Sequence, residues 1–114
     1  MSIETVRKIA LLLPESEESL HFNLPAFKVS KKIYATIHEN KNFMMVKLSL
    51  PDQFVFCSFN KEIFSPVPGG WGRHGSTFVD FKKVKKKLLT EALTAAWKNV
   101  ASPKLVAKYF GEKN

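Results

Sequence analysis

Apolar side chains near the start of the chain recur at helical spacing. Ile3, Val6, Ile9, Ala10 and Leu13 share one face of a 3.6-residue period, with Glu4 and Lys8 opposite. Ser2 sits where an N-cap hydroxyl can accept a hydrogen bond from a first-turn amide, and Glu4 complements the helix dipole. Pro14 lacks an amide hydrogen and restricts Leu13, so the helix is expected to stop there. The acidic stretch Glu15-Ser16-Glu17-Glu18 reads as a loop.

The period then changes to two. Residues 19–49 read as a β-meander: a short strand at Leu20 to Asn23, another at Ala26 to Ser30, a weak turn at Lys31-Lys32, and a hairpin. In the hairpin, Ile33, Ala35 and Ile37 alternate with Tyr34, Thr36 and His38, and Met44, Val46 and Leu48 alternate with Phe43, Met45 and Lys47. Asn40-Lys41-Asn42 supplies residues that tolerate left-handed backbone for the turn. One face is core. The other, carrying Lys28, Tyr34, Thr36, His38, Met45 and Lys47, is expected to be open and half polar.

Residues 51–64 fit two patterns. Pro51-Asp52 suits the first turn of a helix, while the aromatic content of Gln53 to Phe59 equally suits a strand. Pro66 and Pro68 argue against regular structure, and Gly69 to Gly75 reads as an irregular loop. Ser76 to Phe81 reads as a strand. A long helix is expected from about Val84 to Val100, with Leu89, Ala92, Leu93, Ala96, Trp97 and Val100 as its apolar stripe. Ser102-Pro103 opens a last helix that ends at Gly111.

Length and composition fit one packed domain over residues 1–114. The chain has 114 residues, is 45% hydrophobic and holds ten phenylalanines, which excludes a disordered chain. The single cysteine, Cys57, cannot form an internal disulfide and lacks the partners of a structural zinc site. It reads as a buried, inert thiol in a reducing cytoplasm. The apolar run Ile9 to Leu13 is too short for a membrane span or a signal core, so no membrane association is expected.

Charge changes the picture more. Lys and Arg number 18 against 10 Asp and Glu, a formal net charge of +8 that suits a negatively charged partner. Lys82, Lys83, Lys85, Lys86 and Lys87 crowd the junction between the last strand and the long helix. Cations at a helix start are unfavourable by about 0.3–1 kcal/mol each at low salt. No Asp, Ser, Thr or Asn stands at the expected cap just before the lysines. A nucleic-acid phosphate backbone would offset that cost. The competing reading is that the lysines splay into water and are screened.

The remaining constellations argue against catalysis and cofactors. Gly70-Trp71-Gly72-Arg73-His74-Gly75 matches GxGxxG in letters, but prolines precede it and a strand follows, the reverse of a dinucleotide site. Its glycines read as relieving the backbone around a packed Trp71. His21, His38 and His74 are scattered without metal spacing. No nucleophile elbow, Cys/His pair or carboxylate pair is recognisable. Glu15, Glu17 and Glu18 are too few to propose an acidic iron ridge.

Leu13-Pro14, the acidic stretch, Phe22, Pro25 to Val29, Ile33 to Thr36, Phe64 to Gly69, Trp71-Gly72, Gly75, Thr77 to Val79 and the helix through Ala92 to Trp97 together resemble the MmcQ/YjbR-like family. Ser76 departs from it, standing where many members have a second tryptophan. The resemblance implies a frataxin-like (CyaY-like) α+β fold, with an antiparallel sheet covered on one face by the N-terminal and C-terminal helices. It also implies a DNA-binding label that rests on fold alone. The resulting expectation is a non-catalytic monomer that binds DNA through Lys82, Lys83, Lys85, Lys86 and Lys87, helped by Lys31, Lys32 and Arg73. Two alternatives remain open. The same patch could hold an acidic protein, or a cleft at Trp71, Arg73 and His74 could hold a small ligand or a reaction.

Overall fold

A computed structural model describes residues 1–111. Helix α1 (Ile3–Leu12) is capped by Ser2, whose Oγ accepts from the Thr5 amide at 3.1 Å, and it buries Val6, Ile9 and Ala10. Four antiparallel strands follow: β1 (Glu17–His21), β2 (Leu24–Val29), β3 (Lys32–His38) and β4 (Phe43–Lys47). Next come α2 (Leu50–Phe59), β5 (Phe64–Pro66), the short α3 (Gly70–Arg73), β6 (Ser76–Asp80), α4 (Lys86–Val100) and α5 (Pro103–Phe110). The sheet order is β1-β2-β3-β4-β6-β5, antiparallel at every pairing. The α+β class and the helix-covered sheet are as the sequence suggests.

Two hairpins close on two-residue turns in which both residues are left-handed. Phe22 and Asn23 have φ of 51° and 66°, and Ser30 and Lys31 have φ of 53° and 65°. Their twist matches that of the flanking strands, which is why such turns join short hairpins. The β2–β3 turn is therefore Ser30-Lys31, and Lys32 already belongs to β3. Glu17 and Glu18 lie in β1 and are not loop. Strand pairing with β2 holds them, and Arg7 grips Glu18 through Nε (2.8 Å) and Nη2 (2.9 Å).

The helical face of the sheet is the core. Ala35, Ile37, Met44, Val46 and Val79 are buried there beneath Leu89, Ala92, Leu93, Ala96 and Trp97 of α4. Deleting a buried leucine side chain of this kind costs about 2–5 kcal/mol. Trp97 Nε1 donates to the Pro14 carbonyl at 2.8 Å, tying the end of α1 to α4. Trp97 also meets Tyr109 and Phe110 of α5 edge-on. Helix α5 forms as expected, with Ser102 Oγ accepting from the Leu105 amide and Gly111 closing it at φ 61°.

One bulge overturns the simple alternation in β3. Phe27 pairs with Ala35 but Lys28 pairs with Ile33, so Tyr34 is an extra residue. It turns to the helical side, is fully buried, and donates its hydroxyl to the Ala10 carbonyl at 3.1 Å. Ser16 Oγ lies 3.0 Å from the same hydroxyl. Burial pushes the Tyr34 phenol up to about 12, only partly offset by Ser16. Ile33, expected in the core, is displaced to the open face instead.

The ambiguous segment after β4 is a helix. Ser49 Oγ accepts from the Asp52 amide, and Pro51 occupies the first turn. Its few inward groups include Gln53, whose side-chain amide reaches the Gly72 and Ser76 carbonyls and Thr77 Oγ1 within 3.1 Å. Cys57 is partly buried, and burial pushes its thiol up. Phe64–Pro66 is a strand despite its proline, because β5 is an edge and Pro66 has no ladder bond to lose on its outer side.

Replacing Tyr34 with Phe removes one of the two donors to the Ala10 carbonyl, leaving the Leu13 amide, and deprives Ser16 Oγ of its hydroxyl partner. We expect a loss of about 1–2 kcal/mol in urea unfolding at neutral pH. The wild type should lose stability as pH rises from about 10 toward about 12, because only the unfolded phenol ionises there. The Phe variant should lose that part of the alkaline transition.

Candidate functional site

β6 delivers the chain to the lysine run, and the local chemistry there is two-part. Asp80 Oδ1 accepts from the amides of Lys82 and Lys83 at 2.9 and 3.2 Å, and the Asp80 carbonyl accepts from those of Lys83 and Val84. This closes a single turn over residues 81–84 that buries Phe81 and Val84. Helix α4 begins only after it, at Lys86 and not at Val84. Its N-cap is Lys85, which makes no side-chain cap bond. The start of α4 thus combines amides without a side-chain partner and a cluster of ammonium groups, an arrangement that favours an external anion.

All five lysines are exposed. Lys83, Lys85 and Lys87 converge on one hollow of about 500 Å³ between the end of α2 and the start of α4. Phe59, Ile63 and Leu88 form its apolar part, with Asn60 and Glu91 at its edge. Phe59 is 69% exposed. The nearest opposing charges are Glu62, 4.0 Å from Lys83, and Glu91. An exposed pair at that distance contributes little. Phe59, Asn60 and Ile63 were not legible as site residues, because residues 51–64 fit two patterns and the approach of α2 to α4 is tertiary.

Lys31, Lys32 and Arg73 lie elsewhere. Asn99, near the end of α4, donates to the Lys47 carbonyl, and the Ser102 amide just beyond that end donates to Ser30 Oγ. Lys47 pairs with Ser76, close to Arg73. The Ser30-Lys31 turn, Lys32 and Arg73 are therefore at the end of the sheet where α4 finishes. The five-lysine run is where α4 starts, and a 15-residue helix spans about 22 Å. The structure splits the eight expected residues into two groups at opposite ends.

The Gly69–Gly75 segment is ordered more tightly than a loop. Residues 70–73 form a helical turn stapled to α2 by Gln53. A side chain at Gly72 would strike the Val67 carbonyl oxygen at 1.8 Å, and one at Gly75 (φ 107°) the Leu48 carbonyl oxygen at 1.9 Å. These two glycines permit close backbone approach. They do not surround a packed tryptophan: Trp71 is 68% exposed.

Trp71 stands beside the open sheet face. There Thr36, Met45, Lys47 and Phe78 line a shallow hollow of about 360 Å³, together with the displaced Ile33. Tyr34, expected on this face, is absent from it because of the bulge. His38 Nε2 lies 3.3 Å from Thr36 Oγ1, and its ring packs at a tilt against Phe43, centroids 4.9 Å apart. Burial, and then the charge of Lys41, pushes the His38 imidazole below its ordinary value.

A family model described as YjbR matches residues 11–99. The fold resembles that of the Deinococcus radiodurans protein DR2400, whose domain is described as DUF419. The TM-score is 0.70 and the identity 20%, over 99% of this chain and 83% of that one. No curated protein matches the chain. No helix among the described residues is long and apolar enough to cross a membrane.

Lys85→Asp supplies the missing cap and should raise stability by about 1 kcal/mol in urea unfolding. Because the folded state resists protonating His38, the unfolded chain takes up protons first. Stability is then complete above pH 6.5 and falls as pH drops below it. His38→Gln should flatten that part of the pH–stability curve.

Proposed function

The chain belongs to the YjbR family, and from that premise we propose that it is a non-catalytic binding protein that takes a nucleic-acid phosphate backbone, DNA foremost, at the start of α4. The observation that carries this reading is the convergence of Lys83, Lys85 and Lys87 on one exposed hollow beside a helix start without a side-chain cap. Lys82 and Lys86 flank it and extend the positive field.

The physical support is a local conflict. Five cations repel one another and oppose the dipole of α4, at about 0.3–1 kcal/mol each for those in the first turn at low salt. A capping Asp or Ser would be the stabilising choice, as Ser2, Ser49 and Ser102 are for α1, α2 and α5. A residue pattern that weakens its own fold is common where a site recognises something external. Phosphates would relieve the repulsion, pair with the ammonium groups and meet the free amides together.

Sequence preference should be slight. Bases are read by side chains that reach into a groove with paired donors and acceptors. The hollow offers Asn60 and an exposed Phe59, but no arginine. Affinity therefore comes from counterion release, and three neutralised phosphates predict a slope of about −3 for log affinity against log salt.

Fluorescence anisotropy of a labelled duplex at several salt concentrations tests this. The triple change Lys83→Gln, Lys85→Gln and Lys87→Gln should flatten the slope toward zero and weaken low-salt binding at least about tenfold. Lys31→Gln with Lys32→Gln should leave the slope within about one unit of the original. No binding at low salt, or equal losses from the two sets, would refute the proposal.

A further inference from the structure

The open face of the sheet carries a second, chemically different feature. We propose that the hollow there binds a small planar apolar molecule bearing one anionic group, of the aromatic carboxylate or sulfonate class. Its floor is Ile33, Met45 and Phe78, the last two a cross-strand pair, three apolar side chains grouped on a half-exposed sheet face. Ile33 is there only because the Tyr34 bulge turns it outward. At about 360 Å³ the hollow lies at the small end of the range for ligand sites.

Its rim is aromatic and unpacked. Trp71 is 68% exposed and Phe22 87% exposed, and both line the hollow. Phe22 is the more telling of the two. It holds φ 51° in a turn position where Asn, Asp or Gly is the inexpensive choice. A bulky side chain kept there costs on the order of 1 kcal/mol or more and gains little burial within the chain. Among the described residues its one aromatic neighbour is His21, with ring centroids 4.5 Å apart. An exposed ring at a strained position beside an apolar hollow is explained by a flat ligand that stacks on it.

The anionic group follows from charge. Among the residues lining this hollow and the adjoining one beside Trp71 and His74, Lys47 is the only Lys, Arg, Asp or Glu. Lys47 is half-buried and makes no ion pair among the described residues. Thr36 and His38 add neutral hydrogen-bonding groups. A neutral ligand would leave Lys47 unpaired as water is displaced, and a cation would be repelled. This site is on the open sheet face and shares no lining residue with the hollow at the α4 start, so it stands or falls independently of the nucleic-acid reading.

Two dyes that share a ring skeleton provide the test. 1-Anilinonaphthalene-8-sulfonate carries the anion, N-phenyl-1-naphthylamine lacks it, and both brighten when removed from water. The intact protein should bind one equivalent of the sulfonate saturably and bind the neutral dye more weakly. Lys47→Met keeps the apolar stem, and should weaken the sulfonate about fivefold while leaving the neutral dye within about twofold. Met45→Glu, confirmed folded by circular dichroism, should abolish sulfonate binding. The triple glutamine variant at Lys83, Lys85 and Lys87 should bind both dyes as the wild type does. The proposal is overturned by non-saturable binding, by an unchanged affinity in Lys47→Met, or by loss in the triple variant. It is equally overturned if sedimentation shows this face closed by a second copy, or if an oligothymidylate displaces the dye from it at lower concentration than 2-naphthoate does.

Discussion

The fold depends on how one helix is buried. The stripe from Leu89 to Trp97 of α4 lies across the centre of a six-stranded sheet and covers only its helical face. Trp97 is the pivot: its indole fills the core while its Nε1 holds the Pro14 carbonyl, and α5 closes over its edge. Tyr34 repeats the device from the sheet side, reaching Ala10 of α1. The two bonds join the first helix and the Pro14 turn just beyond it to parts of the chain 24 and 83 residues away. Apolar burial supplies the driving force, and the two polar contacts fix which arrangement it settles into.

That single-sided covering creates both exposed features. The long axis of α4 separates the lysine run at its start from Lys31, Lys32 and Arg73 at its end. The opposite sheet face, which no helix among the described residues covers beyond the α3 turn at its edge, is left to the side chains that the bulge and the Gly72–Gly75 approach direct there. Of the two proposed sites, the charged hollow would act at range and without shape, and the apolar one at contact and with shape. Only the first explains why a stable helix starts on lysines.

Much of the scaffold was legible along the chain because local chemistry decided it. Ser2, Pro14, Ser102 and Gly111 bound their helices where capping rules put them, and the α4 stripe is buried as its spacing requires. Where tertiary geometry decided, the pattern misled. Period two placed Tyr34 outward, but a bulge adds a residue that no alternation reveals. Glycines and prolines suggested irregularity at residues 66–75, yet an edge position accommodates Pro66 and close packing demands Gly72 and Gly75. The site was legible in part for the same reason: the lysine run is contiguous. Which lysines converge, and that Phe59 and Ile63 join them, depends on α2 meeting α4 in space.

The central claim is that clustered positive charge at the start of α4 is where the molecule meets a polyanion. Amide shift mapping by NMR during titration with a short duplex DNA tests it most directly. Shifts should centre on residues 82–88 and on Asn60 to Ile63 and fade as salt is raised. Shifts confined to the Ser30-Lys31 turn and Arg73, or their complete absence at low salt, would contradict it.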